Sequence, residues 1–195
     1  MNIIKYFNQL ESLPEEVMFR LDKIFKLETY RKGDIILTAG NLSQNLIFIE
    51  KGLIRLFYEK DEKDITFLFL DENSFSMPIE SIIKNTPTPY GWEALEDCTI
   101  RVVNFQLFNE QLEQFPPLEK IARFVLFEAL LNVSNRLTAI QFQTAEQRYN
   151  NLLETYPNIL QRASLYNIST YLGITQQTLS VIRAKFKQGN KPNNN

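Results

Sequence analysis

Gln176 and Gln177 open a short segment whose next polar positions are Thr178 and Ser180. A glutamine amide presents a donor and an acceptor in one plane. It can bond adenine twice, for about 1–3 kcal/mol of discrimination. Threonine hydroxyls such as those of Thr175 and Thr178 suit phosphate oxygens, as do the basic groups of Arg183, Lys185 and Lys187. The chemistry is recognition of DNA, with no covalent bond made or broken. Gln176, Gln177 and Ser180 are the candidate base readers.

Such side chains need two short helices set by a tight turn. Ser164 can cap the first helix, whose inward residues are Leu165, Ile168, Leu172 and Tyr171. Ser169 is small where the helices would cross. Gly173 ends the first helix with positive φ, and Thr175 caps the second. Leu179, Ile182 and Phe186 then face inward. This is the pattern of a helix-turn-helix. An ordinary helical hairpin with solvated glutamines has the same outline, so charge matters. Residues 144–195 carry six basic and two acidic side chains, a surplus of four, whereas the whole chain has net charge -2. An acidic body with a basic C-terminal unit fits a nucleic-acid reader joined to something else.

Composition removes other classes. One cysteine, Cys98, and no histidine exclude an internal disulfide, thiolate zinc sites and histidine-based acid–base catalysis. A metal-dependent enzyme on a cupin-like barrel would need histidine and carboxylate ligands; Glu80 and Glu93 are the nearest acidic residues and read as structural or solvated. No cofactor and no metal are expected. The N-terminus lacks a signal-peptide run and no window suits a membrane span, which predicts a soluble, cytoplasmic protein. Cys98 precedes a β-run and should be buried.

Upstream, Ser12-Leu13-Pro14-Glu15 predicts a capped helix to about residue 26. Residues 27–105 turn to short β-runs: 34–37, 46–49, 53–58, 65–70 and 99–103. The second and third flank Glu50-Lys51-Gly52 like a hairpin. The set predicts a sandwich or jelly-roll barrel. Met77, Ile79, Ile82 and Ile83 suggest a short helix before Pro87. A long helix is predicted over 117–143, another over 145–155, a connection over 158–164, and a disordered tail from Gln188. The long helix carries two apolar stripes. One holds Leu118, Ala122, Val125, Ala129, Val133, Leu137 and Ile140, the other Phe124, Phe127 and Leu131. One barrel covers one side, so Val125, Ala129, Val133, Leu137 and Ile140 are the candidate homodimer interface.

Lys32-Gly33-Asp34 with Gly40, the run Leu46 to Arg55, Glu93-Ala94-Leu95-Glu96-Asp97-Cys98, and Gly173-Ile174-Thr175-Gln176-Gln177-Thr178-Leu179-Ser180 together resemble the Crp/Fnr family of bacterial transcription regulators. The resemblance implies an α+β chain in three parts. Residues 1–115 form a cyclic-nucleotide-binding-like β jelly-roll barrel with an N-terminal helix, 116–143 a long dimerisation helix, and 144–195 a winged-helix-type helix-turn-helix domain. It implies a homodimer on pseudo-palindromic double-stranded DNA, with RNA polymerase and a small-molecule effector of unassigned identity as further partners. Two departures stand out. Nucleotide-binding members carry Gly-Glu and then Arg-Ser or Arg-Thr; here Phe75-Ser76-Met77-Pro78 and Thr86-Pro87-Thr88-Pro89 stand near those places, and no arginine lies between Arg55 and Arg101. A buried phosphate without a cation is costly, so cyclic AMP is not expected to bind in the family's way. Val181 stands where relatives often place arginine. As a fourth base-facing residue it can touch a thymine methyl, which predicts a site leaning to A·T. The alternative function is a ligand-binding or scaffolding module of the same fold with little DNA affinity.

Overall fold

A computed structural model describes the backbone of residues 1–189 and side chains through Phe186. The Lys187 side chain, one of the expected phosphate contacts, lies outside the described residues, as do residues 190–195. Two helices come first, α1 (Ile3–Leu10) and α2 (Glu15–Ile24). Eight strands follow: β1 (Lys26–Tyr30), β2 (Ile35–Leu37), β3 (Asn45–Lys51), β4 (Ile54–Lys60), β5 (Lys63–Leu70), β6 (Phe75–Ser76), β7 (Gly91–Ala94) and β8 (Cys98–Asn104). The short helix α3 (Ile79–Lys84) interrupts them. The strands form two antiparallel sheets, β1-β8-β3-β6 and β2-β7-β4-β5, the faces of the expected jelly roll.

Burial explains the strand sequences. Ile47 and Ile49 fill the barrel interior with Ile54, Leu56, Trp92 and Ile100. Leu46 and Phe48, alternating with them, pack outward against α1, α2 and later helices. A strand covered on both faces reads as a continuous apolar run. β3 and β4 are therefore not the hairpin that Glu50-Lys51-Gly52 suggested. Each pairs elsewhere, β3 with β8 and β6, β4 with β5 and β7. Gly52, at φ +104°, carries the chain between sheets, and a Cβ there would meet Cys98 Sγ at 2.5 Å. The real hairpin is β4–β5, turned by Asp61 and Glu62 at φ 50° and 60°, as in a type I′ turn. Cys98 is buried as expected, and that burial pushes its thiol up to about 11.

The opening helix departs from expectation. Ser12 does not cap; α2 starts at Glu15 with Pro14 in the cap position and no side-chain cap. α1, β1, β6 and β7 had no sequence prediction. α1 is capped by Asn2 and buries Ile3 and Phe7 completely.

Helices α4 (Phe105–Gln114), α5 (Pro116–Phe142), α6 (Ala145–Thr155), α7 (Ile159–Arg162), α8 (Leu165–Leu172) and α9 (Gln176–Gly189) complete the chain. α7 replaces part of the expected connection. α9 runs through Gly189, so the tail expected to be disordered is helical in its first two residues. Among the described residues no strand follows β8, so none of them forms the expected wing; α7 buries Ile159 between α6 and α8. No helix among the described residues is long and apolar enough to cross a membrane.

Candidate nucleic-acid interface

α8 ends as its sequence demands. Ser164 Oγ accepts the Asn167 amide at 3.1 Å. Gly173 sits at φ +67°, its amide on Thr170 O at 3.1 Å, while the Ile174 amide reaches Ser169 O at 3.0 Å. This is a Schellman closure. Thr175 Oγ1 then accepts the Thr178 amide at 3.1 Å and starts α9. Ser169 is 2% exposed, small and enclosed as the close approach requires. Leu179 and Ile182 pack on Ile168, Leu172, Tyr149 and Leu152. Phe186, expected to face inward with them, is instead exposed at 37%, with its ring centre 5.6 Å from that of Tyr149.

The outer face of α9 is open. Gln176, Gln177, Thr178 and Ser180 are exposed, and Val181 is 58% exposed. Among the described residues the two glutamine amides have no side-chain partner. The hydroxyls are partly engaged: Thr175 and Thr178 meet at 2.9 Å, and Ser180 donates to Gln176 O at 3.0 Å. The basic residues differ from one another. Lys185 is exposed and pairs with Glu146 at 2.9 Å. Arg183 turns back, half-buried, against Tyr149; burial raises the Tyr149 pKa and the guanidinium partly offsets that rise.

This unit is seated on the outer face of the β2-β7-β4-β5 sheet. Leu53, Phe69 and Leu95 join the reader's own apolar cluster. Tyr156 Oη donates to Phe69 O at 2.7 Å, Tyr166 Oη to Asp64 O at 3.1 Å, and the Thr66 amide to Thr170 Oγ1 at 3.2 Å. Arg162 bridges Glu72 at 2.8 Å and Glu96 at 2.7 Å. Burial pushes Glu72 up, but the Gly52 amide and Arg162 more than offset it, leaving that carboxyl below its usual range. A crevice of about 220 Å³ lies at this seam, beside Asp71 and Tyr156. Sequence reasoning missed the seat, and with it Arg136 and Arg148, which reach the end of α8 from α5 and α6.

The long helix has three sides. Leu118 and Ile121 are buried against the N-terminal helices, and Val125, from the expected interface, packs half-buried on the same cluster. Ala129, Val133, Leu137 and Ile140 are exposed. So are Leu126 at 56% and Leu130 at 62%, and also Phe124, Phe127 and Leu131.

In the barrel, polar groups near the family's phosphate site are consumed internally. Thr88 is 1% exposed; its amide bonds Asn41 O, its carbonyl takes the Gly40 amide, and its hydroxyl accepts from the Tyr90 amide. Ser81 Oγ donates to Thr86 O at 2.9 Å. Arg55, though 5% exposed, lies opposite Phe69 on the outer sheet face. It is tied to Glu93 at 2.6 Å and to Asp64, and lies 4.6 Å from the Phe57 ring centre. Glu93 is structural, as expected. Among the described residues no cluster of three or more His, Cys, Asp or Glu could hold a metal.

Residues 27–115 match the family model described as cyclic nucleotide-binding domain. A sequence comparison with curated proteins gives no match. Among solved structures, a CooA mutant from Carboxydothermus hydrogenoformans is 21% identical with a TM-score of 0.70, over 96% of this chain and 85% of that one. FixK2 from Bradyrhizobium japonicum is 17% identical with a TM-score of 0.72, over 85% and 86%. A Eubacterium rectale protein described as a transcriptional regulator of the Crp/Fnr family is 15% identical with a TM-score of 0.70, over 95% and 88%. The chain thus shares the fold of these solved structures, and its residues 27–115 match the cyclic nucleotide-binding domain family.

Proposed function

We propose that the chain is a DNA-binding transcription regulator of the Crp/Fnr type, dimeric on a pseudo-palindromic site and indifferent to cyclic AMP. The observation that carries this reading is the first two turns of α9. Gln176, Gln177 and Val181 are exposed beyond a rigid turn, while Leu179 and Ile182 hold the opposite face. α8 and α9 then act as a helix-turn-helix, with α9 in the major groove. Thr175 and Thr178 at its N-terminus hydrogen-bond phosphates, and Lys185 and Lys187 further along neutralise them. Arg183 contributes only if it leaves Tyr149. The parts divide as 1–115, 116–143 and 144–195.

The dimer reading is supported by α5. Leu126, Leu130, Val133, Leu137 and Ile140 recur at alternating steps of four and three and are all at least 48% exposed. That is the spacing of a two-helix seam, with Ala129 beside it. Val125 is better assigned to the chain's own barrel side. A twin α5 would cover this row and pair two readers. RNA polymerase and an effector other than a cyclic nucleotide remain the further partners of this reading. Selection from a random duplex pool tests it. The expected product is an inverted repeat with half-sites about one helical turn apart and A·T-rich contacts at Val181. A pool without enrichment would sink the proposal.

A further inference from the structure

We infer that Arg136 is a positioning residue for DNA reading: from α5 it grips the turn that carries α9 and so fixes the angle between reader and dimer helix. The inference rests on the regulator reading above and names what would set its half-site geometry.

The last carbonyls of a helix lack intrahelical partners and sit at the negative end of its dipole. The closure at Gly173 uses the carbonyls of Ser169 and Thr170. Those of Tyr171 and Leu172 are left. Arg136 Nη2 donates to Tyr171 O, and Arg148 Nε donates to Leu172 O at 3.0 Å. Arg148 Nη1 also donates to Gln143 O at 2.6 Å, just past the end of α5. Both loose carbonyls before the recognition helix are thus tied to α5 or its junction with α6.

Arg136 does more than cap. Its guanidinium lies 3.8 Å from the centre of the Tyr171 ring, a cation–π contact. Tyr171 in turn lies 4.9 Å from Phe69 of β5, so barrel, reader and long helix meet at one ring. No carboxylate pairs with Arg136 among the described residues, and its buried Nε has no partner. Stability alone would favour an apolar side chain at such a place. What the arginine adds is direction, because a planar fork bonded to a carbonyl and laid over a ring admits few orientations. Arg136 also neighbours Leu137 in the exposed seam. The anchor and the dimer contact therefore share one helical turn.

Two measurements on the full chain with Arg136→Met and Arg136→Lys test this. The first is hydrogen exchange without DNA. Arg136→Met should speed exchange over 165–175 while α1 and α2 stay unchanged, and Arg136→Lys should fall between. The second compares a single half-site with inverted repeats of varied spacer. Arg136→Met should keep half-site affinity, lose roughly tenfold or more on the best full site, and accept spacers that the wild type rejects. Unchanged exchange over 165–175, or a retained spacer preference despite faster exchange, would overturn the inference. Wild-type protein that binds neither duplex would count against the regulator reading instead, since the exchange arm needs no DNA.

Discussion

The barrel and the reader treat their polar side chains in opposite ways. Around the place where relatives hold a phosphate, Ser81 and Thr88 are buried and committed to internal partners, as is Arg55 on the outer sheet face. On the outer face of α9, Gln176 and Gln177 are exposed with no side-chain partner among the described residues. A buried group already bonded holds the fold together and has little left for a ligand. An exposed amide on a rigid turn is available to a ligand at no cost to the core. The family likeness of the barrel is thus a likeness of scaffold, whereas the outer face of α9 keeps groups free to bind.

Substitutions in the two regions should therefore separate stability from binding. The largest effect is expected from Arg55→Leu, which strands Glu93 and Asp64. It should cost about 3 kcal/mol, the lower end for a broken buried pair because both carboxylates keep some water. Urea unfolding checks this, and a change below about 0.5 kcal/mol would place Arg55 among idle groups. Gln176→Ala should leave the unfolding midpoint unchanged and relax the preference at one base pair by about 1–3 kcal/mol. Competition between matched and mismatched duplexes reads that loss; equal loss on every duplex would mean that Gln176 touches backbone only. Lys185→Ala should weaken all duplexes alike and lower the salt slope by about one. A sequence-dependent loss would contradict that assignment.

Acid should loosen the seam before the barrel. The Glu72 carboxyl sits below its ordinary range in the folded chain, so its stabilisation is present above the unfolded value of about 4.3 and is lost as pH falls through the folded value. Faster exchange over 156–172 than over β3 and β8 as pH drops through that window is the expected sign. Simultaneous loosening of both regions would mean that Arg162 is not what holds them together.

Legibility in the sequence followed locality. α5, α6, α8 and the start of α9 could be read because caps, glycine and period lie within a few residues. β3 and β4 misled as a hairpin because Gly52 marks a turn without saying which sheet follows. β7 was missed because its glycine and glutamate look like loop; Gly91 lies against Phe57, where a Cβ would meet the ring at 2.6 Å, and Glu93 answers Arg55 across the register. The seat of the reader depends on Phe69, Tyr156, Tyr166 and Arg162, which are up to about 100 residues apart in sequence and carry no local signal. The exposed outer face of α9 was legible, but the turning of Arg183 toward Tyr149 was not.

The most direct test of a binding reader beside a barrel without a phosphate site is a titration of a selected duplex with the wild-type chain over a salt series, with and without cyclic AMP. The account predicts specific binding whose affinity falls linearly with salt on logarithmic axes and is the same with the nucleotide. No binding at the lowest salt, or binding that appears only when cyclic AMP is added, would contradict it.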